Sequence, residues 1–132
     1  MNHLPFKVIS VLTGAVVAGE AAALLVGVYI LGGAENPWIS AKNSLFLVLD
    51  VLMGLGLVYL ALAARGAAWP AVFYSTVAVA LLSHGYREWE VLVNASNPFC
   101  ANTPLLVVNN FKIAGLLASA ILGAGLPPVV EA

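Results

Sequence analysis

VISVLTGAVVAGEAAALLVGVYIL, residues 8–31, runs for 24 residues with one charged side chain, Glu20. About 20 apolar residues suffice for a helix to cross a hydrocarbon core of roughly 30 Å. Three further stretches meet the same length, about Ser44 to Ala64, Pro70 to Val93 and Pro104 to Leu126. Gly32-Gly33 follow the first, and Pro127-Pro128 stop the fourth. Pro70 opens the third, where a first-turn proline costs no hydrogen bond. The ten-residue alternation of a strand barrel is absent. The sequence therefore predicts an all-α integral membrane protein, one domain over residues 1–132. The connections Gly33–Asn43, Arg65–Trp69 and Asn94–Thr103 are short, which predicts an antiparallel up-down-up-down bundle of four transmembrane helices.

Composition points the same way. Of 132 residues, 62% are hydrophobic and 8% charged, with a mean hydropathy of +1.01. Soluble domains carry about a quarter charged residues. A water-facing surface of this size cannot be covered by five Lys and Arg and six Asp and Glu. A net charge of −1 without a basic patch excludes nucleic acid as a partner. The single cysteine excludes an intrachain disulfide framework and dithiol redox chemistry. The expected partners are the lipid bilayer and either further copies of the chain or a larger membrane complex.

Trp38, Trp69 and Trp89 fall at span ends, where aromatic rings settle at headgroup level. The length of the first span and its Glu20 argue for a retained helix rather than a cleaved leader. Lys7 and Arg65 on one side against Lys42 on the other place both termini in the cytoplasm. Arg87 and Lys112 lie near the opposite side and, if counted, reverse that bias.

A charged residue in mid-span costs about 2.5–3.5 kcal/mol on insertion scales, so each needs a reason. Glu20 is near the centre of the first span as read here. Asp50 lies about 9–10 Å in from the side carrying the first and third loops, at 1.5 Å per residue. His84, Arg87, Glu88 and Glu90 occupy the last turns of the third span, and Asn109, Asn110 and Lys112 the first turns of the fourth. With alternating helix directions, all but Glu20 fall in one half of the membrane.

His84, Arg87 and Glu88 share a helix side by their spacing, and His84–Glu88 and Arg87–Glu90 can pair along the helix. Asn109, Lys112, Ser119 and Gly123 form one stripe, and Asn43, Asp50, Gly54 and Leu57 another. Turned inward, Asp50 and Glu88 are expected to neutralise Lys112 and Arg87. Glu20 then has no fixed cation, and is expected to be the protonatable carboxyl that a proton-coupled device needs. A carboxyl hydrogen-bonded to a neighbouring helix for purely structural reasons satisfies the same pattern. Arg87 with Glu88 or Glu90 also reads as an interfacial collar that sets helix depth.

Ala15, Gly19, Ala23 and Gly27 make a small-residue ladder of the kind that lets helix backbones approach closely. Packing inside the bundle is the expected use, and a dimer seam the alternative. Gly54-Leu55-Gly56 opens like a dinucleotide fingerprint, but Tyr59 breaks it within a span. The third loop, Asn94 to Pro104, is rich in turn formers, contains an Asn94-Ala95-Ser96 sequon and is expected to cap the polar layer. No cofactor or metal is expected. His3 and His84 are the only histidines, so no bis-histidine haem is expected within one chain, and no Glu-x-x-His or His-Glu-x-x-His motif occurs.

A four-span chain with a glutamate inside its first helix resembles, in layout, the small multidrug resistance transporters. The resemblance implies a dimer in which Glu20 binds protons and cations alternately. It is confined to layout and Glu20: the aromatic positions expected around that glutamate are absent, and the set Asp50, His84, Arg87, Lys112 is foreign to the family pattern.

The leading expectation is a small membrane protein that binds or translocates a proton, an ion or a small polar solute. Its binding residues are Glu20, Asp50, His84, Arg87, Glu88, Asn109 and Lys112. The runner-up is a non-catalytic accessory subunit of a larger membrane complex. An intramembrane enzyme acting on lipid or isoprenoid, with Glu20, Asp50 or His84 as acid and base, is third.

Overall fold

The computed structural model describes residues 3–26, 41–93 and 103–127, with side chains at all of these except 41–44, 90–93 and 103–105. Trp38, the sequon, Cys100, Gly27 and the third loop lie outside the described residues, as do the side chains of Asn43 and Glu90. The described residues are all-helical apart from short turns and ends, in four helices: α1 Leu4–Val26, α2 Ala41–Leu62, α3 Trp69–Val93 and α4 Thr103–Ala124. Three of them, α1, α2 and α4, are long and apolar enough to cross a membrane. The remaining helix, α3, is the one whose last turns hold His84, Arg87, Glu88 and Glu90.

Local chemistry sets the ends. The Val72 N–H donates to Ala68 O at 3.1 Å, so α3 opens with Pro70 in its first turn, where no amide hydrogen is needed. After α4, Gly125 and Leu126 donate to Leu122 O and Gly123 O at 3.2 Å each, and Pro127 follows. These tightened last turns satisfy carbonyls that a helix end otherwise leaves free. Arg65 Nη1 donates to Pro127 O at 2.9 Å and ties the α2–α3 turn to the chain beyond α4.

Among the described residues the packed pairs are α1 with α2, α2 with α3, α3 with α4 and α4 with α1. The most extensive is α1 on α2. There the backbones touch: a Cβ at Gly14 would lie 2.6 Å from Gly54 O, and one at Gly54 would lie 2.6 Å from Gly14 O and 2.8 Å from the Ala18 Cβ. Gly54 is thus a packing glycine.

The small-residue ladder is corrected by this contact. Ala15, Gly19 and Ala23 are exposed, and a Cβ at Gly19 would meet nothing within 4 Å. The buried face of α1 is Phe6, Ser10, Thr13, Gly14, Val17, Ala18 and Ala21. One residue of offset is about 100° of rotation on a helix. Turning Ser10, Thr13 and the Glu20 side toward the bundle carries the ladder out of it.

At the end of the bundle opposite the Asp50 and Glu20 layer, three aromatic rings form a tight cluster. Trp69 stacks on Phe73 with centroids 4.7 Å apart, and Phe6 meets both edge-on at 5.9 and 5.5 Å. Trp69 starts α3 as expected, but its ring turns inward and its Nε1 donates to Leu60 O at 2.8 Å. A buried indole needs such a partner. Trp89, at the far end of α3, is exposed.

Candidate functional site

Because α2 flanks α1 and α3 while α4 lies across from it, the polar residues pair by helix adjacency. On α2, Asp50 is fully buried and faces α3. Arg87 Nη2 lies 2.6 Å from Asp50 Oδ2, and Ser83 Oγ donates to Asp50 Oδ1 at 3.1 Å. On α4, Lys112 is buried and faces α1, where its Nζ donates to Glu20 Oε1 at 3.2 Å. Asn109 Nδ2 donates to Glu88 Oε1 at 2.8 Å and approaches His84 O at 3.4 Å.

Three expected pairings are corrected. Lys112 takes Glu20 rather than Asp50, since α4 packs on α1 and α2 does not flank it. Among the described residues Arg87 takes Asp50 rather than Glu88, and its side chain is buried at 9% exposure. Glu88 takes the Asn109 amide, not His84. Glu20 therefore does have a fixed cation. Its separation from the other charges was a matter of register. Its contact with Lys112 puts Glu20 at the level of that lysine.

The deep charges are thus two crossed ion pairs, Asp50–Arg87 on one side and Glu20–Lys112 on the other. Their sum is zero. Charges removed from water cost several kcal/mol each, and only close pairing with added hydrogen bonds offsets that. Ser83 supplies such a bond to Asp50. The Arg87 guanidinium also lies over the Phe46 ring, 5.9 Å from its centroid, and Phe46 stacks on Tyr86 at 5.4 Å.

His84 stands apart from this order. Its side chain is 0% exposed, and Nδ1 lies 4.0 Å from Asp50 Oδ2, outside hydrogen-bond reach. Neither ring nitrogen has a hydrogen-bond partner among the described residues, nor do Glu20 Oε2 and Asn109 Oδ1. Buried polar atoms without partners are rare and call for an explanation. Here they occur on three helices within one charged layer.

Sequence reading missed Ser83, Ser10 and Thr13. All three are buried. Ser83 precedes Arg87 by one helical turn, and Ser10 and Thr13 precede Glu20 at helical spacing. A polar stripe was therefore present, but alcohols in apolar helices are common enough that spacing alone carries little weight. Asn110, beside Asn109, is exposed.

Outside the charged layer, a groove of about 580 Å³ opens sideways between α2 and α3, with Phe46, Leu49, Val79, Leu82, Tyr86 and Trp89 in its lining. Ser83 also lines it and donates to Asp50. Compared with protein-family models, with curated proteins and with solved structures, the chain matches none of them.

Proposed function

We propose that the protein is a membrane-embedded proton relay, a bundle of four spanning helices that binds and passes a proton through the charged layer in one half of the bilayer. The observation that carries the reading is His84, fully buried, with neither ring nitrogen partnered among the described residues, beside Asp50–Arg87. An imidazole can take a proton on one nitrogen and release one from the other. Asp50 lies 4.0 Å from it, and the layer's two ion pairs, Asp50–Arg87 and Glu20–Lys112, sum to zero, so a transient extra charge meets partners of either sign. Glu88 and Asn109 continue the layer toward the end of α3, on the side of the first and third loops.

Contacts that reverse along the chain support the up-down-up-down arrangement. Phe6 meets Gly123 while Glu20 meets Lys112, and Asp50 meets Arg87 while Leu60 meets Trp69. The proposed orientation keeps both termini in the cytoplasm, with Lys7 and Arg65 on that side.

The test is proton flux into liposomes holding the purified chain and a trapped pH-sensitive dye. Wild type is expected to collapse an imposed gradient, and the charge-neutral double variant Glu20→Gln/Lys112→Gln and His84→Leu are expected to lose that activity. Flux unchanged in both, with the fold intact, would remove the relay.

One observation favours the accessory-subunit reading. The exposed face Ala15, Gly19, Ala23 is the kind of surface on which another helix packs closely. Native mass spectrometry after gentle extraction separates the two: a single chain or homo-oligomer supports a relay working alone, and stoichiometric co-release of other subunits supports docking.

A further inference from the structure

The seam between α1 and α4 carries polar residues well past the charged layer. On α1 they are Glu20, Thr13 and Ser10, and on α4 Lys112 and Ser119. Contacts fix the register. Glu20 meets Lys112, Thr13 fills the notch left by Gly115, and Phe6 reaches Gly123. Ser10 therefore stands opposite Ser119.

Both serines are 0% exposed, and neither hydroxyl has a hydrogen-bond partner among the described residues. A helical Ser or Thr ordinarily returns its hydroxyl to the carbonyl one turn earlier. Thr76 does so, donating to Val72 O at 2.8 Å. Ser10 and Ser119 do not, although each sits in a helix with that carbonyl available. Two buried hydroxyls at one level of the seam, each able to donate and accept, suit a small ligand that does both.

We infer that Ser10 and Ser119 form a second polar site that holds water, linked past Thr13 to the Glu20–Lys112 pair and closed on its other side by the Phe6–Trp69–Phe73 cluster. Phe73 is 0% exposed and lies against Gly123, one turn beyond Ser119. Past the rings is a cavity of about 40 Å³ whose lining includes His3, Lys7 and Arg65. An aromatic constriction between two polar regions gates by excluding water. The hydrated site stands on the serines alone; its use as a proton path rests on the relay reading.

The two are separated by two measurements on the full chain in liposomes. Solid-state NMR with magnetisation transferred from water, with serine signals assigned by Ser10→Ala and Ser119→Ala, reads hydration directly. Transfer to Ser10 and Ser119 is expected to build up several-fold faster than to Leu57, which is equally buried in an apolar setting. Equal build-up would overturn the site, whatever the flux. Hydrated serines with no wild-type flux would support the site and sink the relay instead. For the gate, Phe73→Leu keeps an apolar filling, and proton flux is expected to rise about tenfold. Unchanged flux with an intact circular-dichroism spectrum would overturn the gate.

Discussion

Lys112 and Glu20 meet across 3.2 Å from helices whose charged positions are 92 residues apart in sequence. Lys112 is almost wholly buried, at 2% side-chain exposure, and Glu20 retains 16%. The pair therefore behaves as a unit in which the lysine is the more demanding member. Removing the carboxylate alone strands a buried ammonium.

That asymmetry sets the first expectation. Glu20→Gln is expected to destabilise the bundle by about 3–5 kcal/mol, the usual result of breaking a buried pair from one side. Glu20→Gln/Lys112→Gln is expected to recover most of the loss. Unfolding of the single and double variants in mixed micelles checks it, and additive losses would show that the two side chains are not coupled.

His84 gives the opposite pattern. An apolar replacement removes two polar atoms that have no partner among the described residues, so His84→Leu is expected to leave stability unchanged or raise it slightly, while abolishing proton flux. Thermal unfolding followed beside the flux assay measures both. A large loss of stability would mean that His84 has a structural partner.

Around Asp50 the contributions are graded. Ser83→Ala removes one neutral donor and is expected to cost about 1 kcal/mol. Asp50→Ala strands Arg87 and is expected to cost about 3–5 kcal/mol. Comparable losses in denaturant unfolding would contradict the assignment of Arg87 as the main partner.

Glycine substitutions test the packing of α1. Gly54→Ala places a Cβ against the Gly14 carbonyl and Ala18, neither of which is a flexible side-chain end. It is expected to cost about 1–3 kcal/mol, as overpacking does. Gly19→Ala meets open space and is expected to be neutral or mildly stabilising, since alanine is the better helix former. Melting temperatures of the two variants decide this, and a reversed order would mean that α1 is rotated.

The helices themselves were legible without coordinates. Long apolar runs bounded by glycine and proline leave the backbone little alternative to helix, and the four structural helices begin and end within a few residues of the expected spans where the chain is described. Periodicity also placed Asp50, Gly54 and Leu57 on one buried side, and Asn109, Lys112, Ser119 and Gly123 on another. Those stripes depend only on 3.6 residues per turn.

Which stripe faces which was decided by tertiary structure alone. Four helices in a ring give each one two neighbours, and nothing within a single helix states who they are. With α4 packed on α1, Lys112 meets Glu20; with α2 packed on α3, Asp50 meets Arg87. The rotation of α1 was equally hidden, because its two small-residue faces, Gly14–Ala18 and Ala15–Gly19–Ala23, differ by one residue and look alike in sequence. Only the approach of the Gly54 backbone selects between them. Residue types and their spacing thus determine the helices and the polar layer, whereas the pairing of charges follows from close packing, which is a property of the whole bundle.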